Sequence, residues 1–152
     1  MTSGFQAVLF DWKGTLFYDE SDHDWLRHSA ESIGLQLTPD AVQAYVDAID
    51  RSVAVVSDIH YDVRPLFAHY GLAEYVDTFV LSFEHGIQKP HRRMFRAALD
   101  ALGVAADEAL MVGDRAGRDG GAVDVGITTL LLPAVPRGAP RGLDLVLRVV
   151  GA

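Results

Sequence analysis

Four short polar clusters along this chain contain side chains that could carry out covalent chemistry or bind a cation. Each cluster follows an apolar run, where a buried strand of an α/β sheet would end. Ligands of such sheets bind at the carboxyl ends of the strands, so residues from separate clusters can meet there. The clusters are Asp11 with Gly14-Thr15, Ser57-Asp58, Lys89-Pro90, and Gly113-Asp114 with Asp119.

The first cluster presents a single carboxylate at a glycine turn. Asp11 directly follows the apolar run 7–10, and Gly14 and Thr15 come three and four residues later. A buried strand that ends in an isolated aspartate is a common way to present a nucleophile or a metal ligand. Taken alone, the same residues also fit an ordinary turn at the end of a strand.

The last cluster contains two carboxylates, Asp114 and Asp119, across a glycine-containing loop. Such a pair can supply oxygen ligands to a hard divalent cation, although surface aspartates of a loop would look the same. Ser57 and Asp58 alone would equally fit a helix N-cap. Lys89 alone would fit a solvated residue before a proline. The argument for a site therefore depends on the four clusters together.

The elements that must position these clusters alternate along the chain. Short apolar runs predict strands, and 3.6-residue periodicity closed by glycine predicts helices. The predicted strands are 7–10, 53–56, 78–81, 110–112 and 129–132, and the predicted helices are 63–70, 92–102 and 143–150. This alternation predicts an α/β fold: a doubly wound, Rossmann-like, five-stranded parallel sheet with helices on both faces.

Residues 17–52 do not fit the regular alternation. Two helical stretches, about 24–33 and 39–51, fit there, with Gly34 and Thr38-Pro39 as stop and start signals. We therefore interpret 1–152 as a single domain in which 17–52 is a shortened helical insertion.

Composition narrows the class of protein. The hydrophobic content is 49%, and no apolar stretch reaches the roughly 20 residues of a membrane span. A net charge of −8 argues against a nucleic-acid partner. The chain has no cysteine and its first residues do not resemble a signal peptide, so we expect a cytoplasmic protein without disulfides.

Taken in order, the four clusters resemble the motifs of the haloacid dehalogenase-like hydrolases. The resemblance covers about 5–14 and, more continuously, about 53–133. It is specific in the order of the motifs, in their placement after strands, and in Gly113-Asp114 followed by Asp119 five residues after Asp114. It implies that Asp11 attacks a phosphoryl group and forms an aspartyl-phosphate. It also implies that Ser57 and Lys89 are catalytic and bind the phosphoryl oxygens.

The resemblance further implies the remaining site residues. Thr15, Ser57, Asp58 and Lys89 are expected to contact the substrate. Mg²⁺ is the expected cofactor, bound by Asp11, Asp114 and the backbone carbonyl of Lys13, with Asp119 as a direct or indirect partner. A cation fits this chemistry because an anionic nucleophile must approach an anionic phosphate.

Lys13 stands at a catalytic position of the family pattern and is included among the expected catalytic residues, but its residue type departs from that pattern. Most phosphatases of the family carry a second aspartate at this position, which protonates the leaving group and later activates water. Lysine is a reluctant general base, and the loss of a positioned acid/base costs about 10²–10⁴-fold in rate. Five nearby residues could replace this acid/base, and the sequence does not select among them: Asp19, Asp22, His23, Asp58 and His60.

Several classes of protein share parts of this motif pattern. The leading hypothesis is a Mg²⁺-dependent phosphatase or phosphotransferase acting on a phosphorylated small molecule or macromolecule, with a homo-oligomer as one way to cover an open site. The alternative is a catalytically impaired relative that binds metal and a phosphorylated ligand or partner. Phosphonoacetaldehyde hydrolases share Asp-Trp-x-Gly-Thr but use a cap lysine, and metal-free dehalogenases would not need Asp114 and Asp119. A receiver domain has a different motif order.

Overall fold

The computed structural model describes residues 4–16, 50–133 and 142–151. Five parallel strands form one sheet in the order β3-β2-β1-β4-β5, with helices on both faces. The strands are β1 (Ala7–Phe10), β2 (Ser52–Ser57), β3 (Thr78–Leu81), β4 (Ala109–Gly113) and β5 (Thr128–Leu131). The predicted doubly wound α/β fold is confirmed, and all five predicted strands are present within one or two residues.

The helices are α1 (Arg64–His69), α2 (Ser82–His85), α3 (Arg92–Leu102) and α4 (Asp144–Val150). Within the described residues, 3₁₀ helices cover Ala73–Tyr75, Ala106–Glu108 and Asp119–Val125. The prediction of α3 is confirmed to the residue because its apolar stripe is regular and Gly103, with φ +69°, ends it in the left-handed conformation. None of these helices is long and apolar enough to cross a membrane.

Alternation along β1 divides the core between the two faces of the sheet. Ala7 and Leu9 pack with α3, whereas Val8 and Phe10 pack with α4. All four side chains are buried, as expected for the central strand of a sheet covered on both faces. The central strand is therefore held rigidly where it ends at Asp11.

Most of the predicted insertion lies outside the described residues, as do Asp19, Asp22 and His23. The predicted helix 24–33 lies outside them entirely. The prediction of a helix over 39–51 is wrong at its end, since neither Asp50 nor Arg51 is helical and Asp50 has a φ of +42°. Ser52, which is hydrogen-bonded to Gln6, already begins β2. The description of 17–52 as a shortened insertion stays a prediction.

Candidate active site

Three of the four predicted clusters lie at the ends of three neighbouring strands, at one edge of the sheet. Phe10 of β1 is in register with Val55 of β2 and with Val112 of β4, so the carboxyl ends of these strands lie side by side. The Asp11 amide continues this pairing by donating to the carbonyl of Val112 at 2.8 Å. The strand ends that the sequence analysis expected to meet therefore lie next to one another in the structure.

The centre of this edge is a buried ionic cluster. The Lys89 Nζ lies 2.6 Å from Asp11 Oδ1 and 2.6 Å from Asp119 Oδ1. The Lys89 and Asp119 side chains are each only 1% exposed, and that of Asp11 is 9% exposed. Buried charges of this kind require close partners, because desolvation of an unpaired ion is costly. Lys89, predicted from a motif rather than from its surroundings, is thus the ion that joins two of the carboxylates.

Asp119 is held by the backbone of its own loop. Its Oδ2 accepts hydrogen bonds from the amides of Asp114 (3.1 Å) and Arg115 (3.0 Å). The approach is so close that a Cβ on Gly113 would lie 2.3 Å from the Asp119 Cγ. The glycine before Asp114 therefore allows the loop to fold back on the end of β4.

A second glycine has a similar role in the turn after β1. Gly14 has a φ of +90°, which disfavours other residues, and a Cβ there would lie 2.1 Å from Asp114 Oδ2. In the same turn, the Thr15 hydroxyl donates to Asp11 Oδ2 at 3.2 Å. The ring of Trp12, also in this turn, packs against Phe67 at 4.7 Å between centroids.

Negative charge exceeds positive charge inside the cluster. Burial raises the pKa of Asp11 to about 6, with Lys89 opposing the increase and Asp119 adding to it. Burial and the Asp119 carboxylate also raise the pKa of Asp114. Burial alone would lower the pKa of Lys89, but Asp11 and Asp119 outweigh it and raise that pKa. A single ammonium is not enough to neutralise three carboxylates.

The arrangement fits a divalent cation. One carboxylate oxygen from each of Asp11, Asp114 and Asp119 can be chosen so that all three lie within 4.8 Å of one another. Asp114 Oδ1 is buried and, among the residues that the structure describes, has no hydrogen-bond partner. Carboxylate oxygens are the ligands that Mg²⁺ takes in proteins. The donor set, the unpartnered oxygen and the excess negative charge all suit such an ion.

A second unpartnered group lies at the end of β2. The Ser57 side chain is 1% exposed, and its Oγ has no hydrogen-bond partner within the described part of the chain. Buried hydroxyls are normally hydrogen-bonded, so an unpaired one at a strand end needs an explanation. An oxygen of a bound ligand would satisfy it.

Asp58 and Lys13 occupy different environments from those of the central cluster. Asp58 Oδ1 accepts from the Lys89 amide at 2.8 Å, and its Oδ2 accepts from Arg118 Nη1 at 2.7 Å. Lys13 is half-buried in the turn after Asp11, and His60 is exposed. The substrate contact assigned to Asp58 and the catalytic and metal-binding roles assigned to Lys13 stay predictions.

Two residues of the site were missed from sequence. Arg118 bonds Asp58, and Ser82 exchanges hydrogen bonds with the backbone of Ile59, at 2.8 and 2.9 Å, thereby holding the loop after Ser57. Arg118 carried a usable signal because it directly precedes Asp119. Ser82 carried none, since its importance depends on a contact 23 residues away.

A comparison with models of protein families identifies a match for most of this chain. A family model of haloacid dehalogenase-like hydrolases matches residues 23–123. This span contains Ser57, Lys89, Asp114 and Asp119 but begins after Asp11.

Two curated relatives and one solved structure illustrate the similarity. A phosphoserine phosphatase of Thermus thermophilus is 51% identical over 49 residues, which are 32% of this chain and 20% of that protein. A ribulose-1,5-bisphosphate 5-phosphatase of Halopiger xanaduensis is 34% identical over 115 residues, or 72% of this chain and 48% of that protein. A HAD family enzyme of Bacteroides thetaiotaomicron, solved as an Asp-to-Ala mutant with magnesium and inorganic phosphate, is 14% identical with a TM-score of 0.58. It covers 93% of this chain and 99% of that one.

The short length of these matches limits which properties of the relatives can be inferred for this chain. The chain spans only a fifth to about a half of the curated relatives that it matches. The solved structure, at its low identity, supports the fold alone. The family model, by contrast, covers about two thirds of the chain. The chain therefore belongs to the haloacid dehalogenase-like hydrolase family.

Proposed function

We propose that this protein is a Mg²⁺-dependent phosphatase or phosphotransferase that acts through an aspartyl-phosphate on Asp11. The observation that carries the proposal is the buried Lys89 ammonium, 2.6 Å from both Asp11 and Asp119, beside three carboxylates that can share a cation. Phosphatases among the relatives support the same reaction class.

Asp11 is the proposed nucleophile. An Asp11 carboxylate oxygen attacks the phosphorus, a new P–O bond forms, and the bond from phosphorus to the leaving-group oxygen breaks. Water then releases phosphate from the acyl phosphate and restores the carboxylate. The Thr15 hydroxyl, which donates to Asp11 Oδ2, would orient the carboxyl group for this attack.

Lys89 and Ser57 are proposed to bind the phosphoryl oxygens. The ammonium of Lys89 already lies against the nucleophile, and the Ser57 hydroxyl is buried with its hydrogen-bonding capacity unused by the described residues. Groups fixed in this way stabilise the spread of negative charge in the transition state. A phosphoryl oxygen would thus be the hydrogen-bond partner of the Ser57 hydroxyl.

Asp11, Asp114 and the backbone carbonyl of Lys13 would hold Mg²⁺, with Asp119 as a direct or indirect partner. When bound, the ion supplies positive charge that reduces repulsion between carboxylate and phosphate. Burial, and next to it the neighbouring carboxylates, raise the pKa values of Asp11 and Asp114, and a bound cation would stabilise their ionised forms.

Lys13 restricts the proposed substrates. Without the second aspartate of the family, no carboxylic acid at this position protonates the leaving group. Leaving groups that depart as stable anions need that proton least, so acyl and aryl phosphates should react best. The natural substrate is proposed only as a phosphorylated small molecule or macromolecule.

A second candidate function is that of a catalytically impaired relative. It would bind Mg²⁺ and a phosphorylated ligand through the same residues but would not turn over. The substitution at Lys13 is the observation that favours it.

Location and assembly are also proposals. The absence of cysteine agrees with a cytoplasmic location, and the net charge of −8 disfavours a nucleic-acid partner. A short insertion over 17–52 would leave the site open, and a neighbouring subunit of a homo-oligomer could then cover it.

The function is tested by turnover of an aryl phosphate with Mg²⁺. We expect wild-type activity that disappears on chelation, and a loss of at least about 10³-fold for Asp11→Asn, which keeps the shape but not the nucleophile. Asp124→Asn is the matched control, because Asp124 is exposed and lies outside the cluster. Mg²⁺ binding without any turnover would favour the impaired relative.

A further inference from the structure

Asp58 and Arg118 join three loops of the site. Asp58 Oδ1 accepts the Lys89 amide at 2.8 Å, while its Oδ2 accepts Arg118 Nη1 at 2.7 Å. The same Nη1 reaches Gln88 Oε1 at 3.3 Å and the Lys89 carbonyl at 3.5 Å. We call this arrangement, made of Asp58, Gln88, the Lys89 backbone and Arg118, the loop bridge.

Each part of the loop bridge is next in sequence to a residue of the proposed chemistry. Asp58 follows Ser57, and Arg118 precedes Asp119. The Lys89 backbone that Asp58 holds carries the side chain that bonds Asp11. The three loops come from different parts of the chain, so local sequence cannot fix their relative positions. The loop bridge connects them directly.

Its contribution to global stability should be small. The Arg118 side chain is 42% exposed and that of Asp58 is 13% exposed. Ion pairs with one exposed partner contribute little, because water already solvates the charge. The contact with the Lys89 amide is different, since it fixes a backbone position beside the centre of the site. Such a pair can therefore control the positions of the site loops without contributing much to the free energy of unfolding.

We infer that Asp58 and Arg118 are positioning residues that set the spacing of Ser57, Lys89 and Asp119 for phosphoryl transfer. The inference rests on the proposed function. A misplacement of about 1 Å can cost on the order of 10²-fold in rate. Partners that orient a site's ligands typically contribute about 10–100-fold. Both residues act through their neighbours, so their loss lowers kcat and leaves KM nearly unchanged.

The test is a double-mutant cycle with Arg118→Gln and Asp58→Asn. Asparagine keeps an acceptor for the Lys89 amide but turns a donor toward Arg118, so both variants break the same contact. The exposed Asp144–Arg148 pair, 2.9 Å apart with both side chains 69% exposed, gives the matched control variants Asp144→Asn and Arg148→Gln. Aryl phosphate turnover with Mg²⁺ is measured for every variant.

We expect each loop-bridge variant to lower kcat about tenfold, and the double variant to be no worse than the poorer single one. Arg118→Lys should recover part of the rate, and the control pair should have no effect. Additive losses would overturn the inference. A raised KM in Arg118→Gln alone would also overturn it, since Arg118 would then bind substrate directly.

A second readout separates this inference from the proposed function. Beryllofluoride with Mg²⁺ mimics a phosphoryl group on a carboxylate, and its binding is measured by thermal shift without turnover. We expect about tenfold weaker binding in both loop-bridge variants. If the wild type has no turnover, weaker binding in these variants still supports the inference, and unchanged binding overturns it. If the wild type does not bind beryllofluoride either, both proposals fail.

Discussion

The site has two halves that differ in how their charges are balanced. In the acidic half, Asp11 and Asp119 share one buried ammonium beside Asp114, and the pKa values of Asp11 and Asp114 are raised. In the loop bridge, both oxygens of Asp58 have hydrogen-bond donors. The acidic half holds buried carboxylates whose ionised forms a cation would stabilise, whereas both oxygens of Asp58 in the loop bridge already have donors. The difference separates residues suited to chemistry from residues suited to positioning.

Removal of Lys89 should affect the acidic half most. In Lys89→Met, the carboxylates of Asp11 and Asp119 would lose their shared buried cation. Breaking a buried ion pair from one side costs about 3–5 kcal/mol, so we expect the free energy of unfolding at pH 7 to fall by about that amount.

Urea denaturation with and without Mg²⁺ measures this effect. Added Mg²⁺ should restore much of the loss, and so should a pH low enough to protonate the carboxylates. A variant as stable as the wild type in chelator would contradict the stabilisation of the buried carboxylates by Lys89.

A pH profile sharpens the comparison. The folded pKa of Asp11, about 6, exceeds its ordinary value of 3.8, so between these values the folded protein binds more protons than the unfolded chain. Stability without Mg²⁺ should therefore fall as the pH rises from 3.8 to 6. The part due to Asp11 is about 3 kcal/mol.

Denaturation of the wild type and of Asp11→Asn across this pH range isolates the contribution of Asp11 to the change in stability. The variant should show a shallower decline, with the remainder due to Asp114, whose pKa is raised in the same direction. Identical pH profiles for the two proteins would contradict the raised pKa of Asp11.

A methyl group at Gly113 should distort the acidic half sterically. In Gly113→Ala, the new Cβ would meet the Asp119 carboxyl at 2.3 Å, so Asp119 must move. Overpacking costs about 1–3 kcal/mol, and the displaced carboxylate should weaken Mg²⁺ binding. Gly117→Ala is the matched control in the same loop, because no atom lies within 4 Å of its added Cβ.

Calorimetric titration with Mg²⁺ and denaturation compare these two variants. Gly117→Ala should behave as the wild type in both measurements. Equal Mg²⁺ affinity in Gly113→Ala and Gly117→Ala would contradict the close approach of Asp119 to the end of β4.

The sequence predicted the five strands and three of the four α-helices of the described residues, but not the short helix α2. Continuous apolar runs predicted the central strands, and the stripe of α3 with Gly103 predicted both of its ends. Bounds shifted where polar residues join the ladder, as Ser52 and Ser57 do in β2, because hydropathy marks burial rather than pairing. The 3₁₀ helix Asp119–Val125 was missed because its two adjacent glycines disfavour helix, and it forms through tertiary packing.

The residues of the candidate site were selected from motif order and strand ends, and the structure brings Asp11, Lys89 and Asp119 into contact. The roles of these residues, and those of Ser57 and Asp114, stay predictions. The link between Asp58 and Arg118 spans 60 residues, and no local pattern encodes it. Ion pairing of Lys89 with both Asp11 and Asp119 likewise depends on how three loops meet.

The central claim is that Asp11 is a phosphoryl acceptor, and intact-protein mass after incubation with acetyl phosphate and Mg²⁺ tests it most directly. Acetate leaves as a stable anion, so the missing acid at Lys13 should not prevent the first step. We predict one acid-stable, base-labile phosphate adduct on the wild type and none on Asp11→Asn, with a shorter lifetime in Lys13→Asp. No adduct on the wild type, or an adduct that persists in Asp11→Asn, would contradict the claim.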